Sequence, residues 1–259
     1  MRIFRWAIFL GAVICSSPTY AARCGGDFNT FVAAMSQEAA AAGVSQAVIS
    51  QAFAGITQDP AVLAFDRRQR GTFTKTFEQY VSTRVGPGRI NIGRQMLQRH
   101  GSLLSRIEQR FGVPPGPLLA IWGMETGFGS QRGNQNMLSS IATLAYDCRR
   151  SEYFTEHLYA ALQLIDRGAL SPAQRGSMHG EVGQTQFMPK AILAYGTGNL
   201  ENAANALSST ANFLKAHGWR AGAGYQPGEP NFAAIQAWNA AGVYQKAIAL
   251  MGRQIDGGE

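Results

Sequence analysis

Glu125 stands where a carboxylate is expensive. It follows Leu118, Ile121 and Trp122 by seven, four and three residues. Those intervals continue one face of an α-helix. A helix is predicted over 117–126, opened by Pro114 and Pro115 and closed by Gly127 and Gly129. A carboxyl on the apolar stripe of that helix must be paired or protonated. It also falls in the last turn, where the helix dipole disfavours negative charge. Both effects raise its pKa. An acid still protonated near neutral pH is what proton donation to a leaving group requires. The alternative is a structural Glu paired with one of the 19 arginines.

Two further segments carry candidate groups. From Arg175 to Pro189, Gly176, Gly180 and Gly183 alternate with Ser177, Gln184, Thr185 and Gln186. Glycines at such spacing let backbone approach a ligand. No Gly-Lys-Ser/Thr follows, so this is not a phosphate loop. From Asp147 to Phe154, Arg149 and Arg150 stand beside Tyr153, an arrangement able to clamp a carboxylate or simply to begin a solvated helix. His100, His157, His179 and His217 show no HExxH spacing and read as structural. No Cys/His cluster suggests a metal, and no cofactor motif is present.

These groups must be positioned by helices. Apolar residues recur at helical spacing over 28–39, 44–53, 73–85, 89–100, 102–111, 137–146, 151–167, 187–195, 201–217 and 231–250, as well as over 117–126. Alternating Val/Ile-rich strand patterns are almost absent. The expected class is mainly α. Hydrophobic residues make up 46% of the 259, enough to build a core and to exclude a disordered chain.

The N-terminus reads as an export signal. Arg2 and Arg5 precede the apolar run Trp6 to Cys15, which is about half the length needed to span a bilayer. Small residues at Thr19 and Ala21 place cleavage after Ala21. A lipoprotein reading at Cys15 is weaker, because Ile14 precedes it. Losing Arg2 and Arg5 lowers the formal charge from +7 to +5. Outside the cytoplasm, a basic protein without a nucleic-acid motif fits an anionic cell-wall polymer or membrane surface better than nucleic acid. Cleavage also leaves two cysteines, Cys24 and Cys148. In an oxidising compartment they suggest one disulfide; two buried free thiols are the alternative.

Several motifs in order resemble the B-type lytic transglycosylases, bacterial enzymes that cut peptidoglycan. They are Phe65-Asp66-Arg67; Gly112-Val113-Pro114 leading to Trp122-Gly123-Met124-Glu125-Thr126; Ala142 to Asp147 with Arg149-Arg150; Gly176-Ser177; and Gly183 to Pro189. Ser209 to Leu214 with Gly218-Trp219 follows, and Ala237-Trp238-Asn239 with Val243-Tyr244 ends the series.

The resemblance implies a lysozyme-like fold, with a helical subdomain at 22–100 and a catalytic domain at 101–259 framing a glycan groove. It implies Glu125 as the single catalytic acid, acting on the bond between N-acetylmuramic acid and N-acetylglucosamine and leaving 1,6-anhydro ends. Ser177 and Gln186 would line the reaction subsite, and Trp238 and Asn239 would cap it. Arg149, Arg150 and Tyr153 would face the peptide or sugar ends. A lysozyme-type hydrolase and a non-catalytic peptidoglycan scaffold are the rival readings.

Two departures stand out. Relatives often carry an Asp-rich calcium loop after Phe-Met-Pro, whereas Tyr195 to Glu201 holds one carboxylate, so no calcium is expected. The glycine loop reads Met178-His179-Gly180-Glu181-Val182 where many relatives have Trp-Ala-Gly-Ala-Met. Glu181 therefore puts a second acid near the groove, as a subsite contact, a partner of Arg175 or an altered catalytic element.

Overall fold

The computed structural model describes residues 24–68 and 76–258. The expected signal segment, 1–21, and the start of the 73–85 stripe lie outside them. Among the described residues there are thirteen α-helices and two very short strands, so the mainly α expectation holds.

The helices are α1 (Phe28–Ala41), α2 (Gln46–Phe53), α3 (Pro60–Arg68), α4 (Phe77–Arg84), α5 (Pro87–Arg99), α6 (Gly101–Phe111) and α7 (Pro115–Thr126). There follow α8 (Met137–Tyr146), α9 (Ser151–Asp166), α10 (Pro189–Tyr195), α11 (Ala203–Ala216), α12 (Phe232–Trp238) and α13 (Gly242–Ile255). Strands β1 (Gln135–Asn136) and β2 (Arg175–Gly176) pair antiparallel, Gln135 opposite Gly176.

The helix boundaries follow local chemistry. Asp27, Ser45, Asn136 and Asn202 each cap a following helix by accepting a backbone N–H. Prolines open α5, α7 and α10. Gly112 and Gly127 close α6 and α7 in the left-handed conformation.

The hydrophobic interior forms two clusters. One gathers α4, α6, α7 and α11 to α13 around Leu118, Ile121, Trp122, Leu207 and Ile248. The other gathers α1 to α3 with α8 to α10 around Phe31, Met35, Ile141, Phe154 and Leu158. The described residues before 101 thus distribute between both clusters, α1 to α3 in one and α4 in the other. Helix α7 runs against α13 so closely that a Cβ on Gly116 would stand 2.4 Å from the carbonyl oxygen of Gly252. This glycine contact seats the catalytic candidate helix in the core.

The structure corrects the sequence reading in two places. Residues 231–250, expected as one helix, form two, because Asn239 turns extended and its Oδ1 accepts the Ala241 N–H at 2.9 Å to restart the chain. Helix α3 was not expected at all. Among the described residues no helix is long and apolar enough to cross a membrane.

Candidate active site

Helix α7 buries ten of its twelve residues. It is therefore apolar on every side, not on one stripe, and Glu125 is distinguished as its one acidic residue and by opening onto a groove. The groove has a volume of about 980 Å³ and is walled by Gln186, Tyr153, Phe213 and Trp238. That is ample for a small-molecule site.

Two donors converge on one oxygen of Glu125. The indole Nε1 of Trp238 donates to Oε1 at 3.0 Å, and the hydroxyl of Tyr244 donates to the same atom. Both come from beyond Phe232, on either side of the break between α12 and α13. Burial pushes the Glu125 pKa up to about 7; the Tyr244 and Trp238 hydrogen bonds oppose that rise, and the charge of Glu181 adds to it. With Oε1 taken by these two groups, Oε2 is the oxygen left open to carry a proton toward the groove. No arginine pairs with Glu125 among the described residues; its partners are Trp238 and Tyr244.

Trp238 is held edge-on by Phe187 at 5.2 Å and by Phe213 at 5.1 Å between ring centroids. The loop from Gly183 to Gln186 is a tight turn between Val182 and Phe187, which bond each other's backbone in both directions. Its Gln184 accepts the Trp122 indole N–H at 2.9 Å and, through its carbonyl, the Thr126 hydroxyl at 2.6 Å. The loop is thereby pinned to the last turn of α7. Gln186 takes φ of 53°, a backbone conformation rare outside glycine and concentrated at functional sites. Its amide nitrogen donates to Gly183 at 2.8 Å.

The structure brings Glu125, Gln186, Trp238, Asn239, Glu181, Arg150 and Tyr153 to one groove. Tyr153 is 48% exposed there. Ser177 and Arg149 differ from expectation, for neither lines it. The Ser177 hydroxyl donates to Glu181 Oε2 at 2.7 Å. Arg149 is drawn away by Asp66 at 2.5 Å and Asp147 at 2.8 Å. Asp66 is a buried hub from α3 that also accepts Arg150 and meets His179 Nε2 at 3.1 Å. Burial would raise its pKa, but the surrounding cations outweigh that and hold it below the usual carboxylate value.

Sequence reasoning missed two residues. Tyr244 was visible only as part of a motif, and Asp66 only as part of Phe65-Asp66-Arg67. His157 lines the groove with its Nδ1 accepting the Lys190 N–H at 3.3 Å, and burial lowers its pKa to about 4. It is neutral at physiological pH, in line with a structural role. Cys24 and Cys148 form a disulfide with Cα atoms 5.0 Å apart.

The segment from Tyr195 to Glu201 does not fit a calcium ion. Its one carboxylate, Glu201, is taken by Arg132 at 2.7 Å and by Gln174 at 3.1 Å. The Asn199 side chain is spent on the Glu201 N–H at 2.9 Å.

Comparison with known proteins places this geometry. Residues 27–228 match the transglycosylase SLT domain family. The chain is 34% identical over 163 residues to membrane-bound lytic murein transglycosylase B of Escherichia coli (strain K12), a match covering 57% of this chain and 45% of that protein. It thus spans less than half of that relative's length. It is also similar to SltB3 of Pseudomonas aeruginosa, crystallised in complex with NAG-anhNAM-pentapeptide. That likeness has a TM-score of 0.84 and 29% identity, over 90% of this chain and 80% of the other. The lytic transglycosylase Slt35 of Escherichia coli, in complex with calcium, shares the fold with a TM-score of 0.78 at 22% identity, over 92% of this chain and 97% of that one. The fold is lysozyme-like, as expected, and with the match spanning most of its length the chain belongs to the transglycosylase SLT domain family.

Proposed function

We propose that the protein is an exported lytic transglycosylase. It cleaves the β-1,4 bond between N-acetylmuramic acid and N-acetylglucosamine in peptidoglycan and leaves 1,6-anhydromuramic ends. The observation that carries this reading is Glu125, a groove carboxyl whose pKa is pushed up to about 7 and whose Oε1 is fixed by two donors. Such a group can give a proton to the glycosidic oxygen and then take one back. The SltB3 complex with an anhydro-muropeptide supports the same substrate and product.

In this mechanism Glu125 Oε2 protonates the leaving oxygen. The substrate's own 2-acetamido group stabilises the oxocarbenium-like centre. Glu125, now a carboxylate, removes the proton of the C6 hydroxyl as that oxygen closes on C1, and no water is consumed. Trp238 and Phe213 supply aromatic faces suited to sugar rings. Gln186, Asn239, Arg150 and Tyr153 contact the strand. The signal segment at 1–21 sends the chain to the periplasm, and residues within 101–259 line the groove and carry the chemistry. The partner is the glycan strand, not nucleic acid.

Glu181 favours one second reading. A hydrolase needs a second carboxylate, as base for a water or as nucleophile, and Glu181 lines the groove. Digestion of purified sacculi, with product masses measured without reduction, separates the two. Anhydro products lie one water below hydrolysed ones. Masses showing added water would overturn the transglycosylase reading, and absence of any cleavage would point to a scaffold.

A further inference from the structure

The single-acid mechanism leaves Glu181 without a task. The turn that carries it is closed by the Ser177 N–H donating to the Glu181 carbonyl at 2.9 Å. The Ser177 hydroxyl donates to Glu181 Oε2 at 2.7 Å while accepting the backbone N–H groups of His179 and Glu181, each at 3.1 Å. A serine has one O–H to donate. Ser177 has none left for a sugar, and the groove surface ends here in an anion that only accepts.

Among the described residues that anion has no cation of its own. The two groove-lining cations nearest in chemistry are engaged elsewhere, Arg150 by Asp66 and Lys190 by Glu156. Arg175, the partner suggested by sequence, donates instead to the Asn134 carbonyl at 3.0 Å. Among the described residues Glu181 makes no ion pair, and its Oε1 accepts no hydrogen bond. A carboxylate held in place, half-buried and uncompensated gains most from a charged N–H donor supplied by the ligand.

We propose that Glu181, positioned by Ser177, is a specificity residue that receives a primary ammonium group on the substrate. The proposal rests on the glycan-cleaving reading. The sugar being cleaved must keep its acetamido group to stabilise the cation, so the ammonium belongs to a neighbouring unit. Two sources share this chemistry: a hexosamine lacking its N-acetyl group, and the side-chain amine of a diamino acid on a peptide stem.

The test is calorimetric titration of the full mature chain carrying Glu125→Gln, which binds without turnover. The ligands form two pairs, used at about pH 6, below the pKa of such amines. One pair is a glucosamine tetramer and its fully N-acetylated counterpart. The other is a muramyl tripeptide ending in lysine and its Nε-acetylated form. The amine of at least one pair should bind about fivefold more tightly than its acetylated partner, the scale of a solvent-accessible ion pair. Adding Glu181→Gln should erase that preference, and the pair that shows it names the source. Equal binding within both pairs, or a preference that survives Glu181→Gln, overturns the proposal while leaving the glycan reading intact. Failure of all four ligands to bind overturns both.

Discussion

The hydroxyl of Tyr244 is hydrogen-bonded to Glu125 Oε1 across 119 residues of sequence. The contact exists because the chain breaks at Asn239 and restarts at Gly242, which turns the first part of α13 toward the end of α7. Burial and the neighbouring Glu125 push the Tyr244 pKa far up, so the phenol remains a donor at any working pH. The pair makes the two oxygens of Glu125 unequal, Oε1 held by Tyr244 and Trp238.

Replacing Tyr244 by Phe keeps the ring and removes the donor. The ionised form of Glu125 loses more than the neutral form, so its pKa rises above about 7. A hydrogen bond to a charged group is worth roughly 1.5–3 kcal/mol, or about one to two pKa units. The alkaline limb of the pH–rate profile on sacculi should move up by about one unit, with kcat reduced about tenfold. An unmoved limb would show that the contact does not govern protonation.

Glu125→Gln should abolish lysis, because an amide fills the volume but exchanges no catalytic proton. Its effect on stability has a defined sign. Glu125 has a folded pKa of about 7 against an ordinary value of 4.5. The folded state therefore holds the extra proton between those values, and stability is lost as pH rises through about 7. Gln carries no such loss. The melting temperature of Glu125→Gln should match wild type near pH 4.5 and exceed it above pH 7, the underlying stability difference being at most about 3 kcal/mol. A gain of equal size at both ends of the range would contradict a raised pKa.

The sequence made Glu125 legible because one carboxyl in an apolar helix violates the pattern around it. The reason was partly mistaken: α7 is buried all round, so no stripe singles the residue out. Trp238, Asn239 and Gln186 were legible only through motif resemblance. The break that places Tyr244 was not, since Asn239-Ala240-Ala241 contains no proline and alanine favours a continuing helix. Asp66 was hidden for another reason. Its burial depends on Arg149, Arg150 and His179, which lie 83, 84 and 113 residues away, and no local pattern reports such partners.

The Cys24–Cys148 disulfide closes a loop of 124 residues. Chain-entropy arguments assign such a closure about 4–5 kcal/mol, often less in practice. Here Gly25 N–H also donates to the Tyr146 carbonyl at 3.0 Å, and the Tyr146 hydroxyl to Gly26. These bonds retain part of the contact after reduction. A reductant should lower the melting temperature by about 5–10 °C. Thiol labelling of unreduced, denatured mature protein should find no free cysteine. Two labelled cysteines would overturn the pairing.

The loop between α10 and α11 should need no metal. A calcium ion takes six to eight oxygens, several of them anionic. The loop offers only Glu201, which already meets Arg132 at 2.7 Å. Two of its other oxygens are engaged within the turn: the Thr197 hydroxyl donates to the Asn205 carbonyl at 3.1 Å, and the Asn199 carbonyl accepts the Asn205 amide at 3.2 Å. Arginine thus supplies the positive charge that organises this turn, tying it to the loop after α7. Chelation should leave both activity and melting temperature unchanged. Arg132→Ala should lower the melting temperature by a few degrees at most, because the pair is partly exposed and such pairs contribute about 1 kcal/mol or less. High salt should shrink that difference. A drop in melting temperature with EDTA, restored by calcium, would refute this account and require ligands gathered from distant segments.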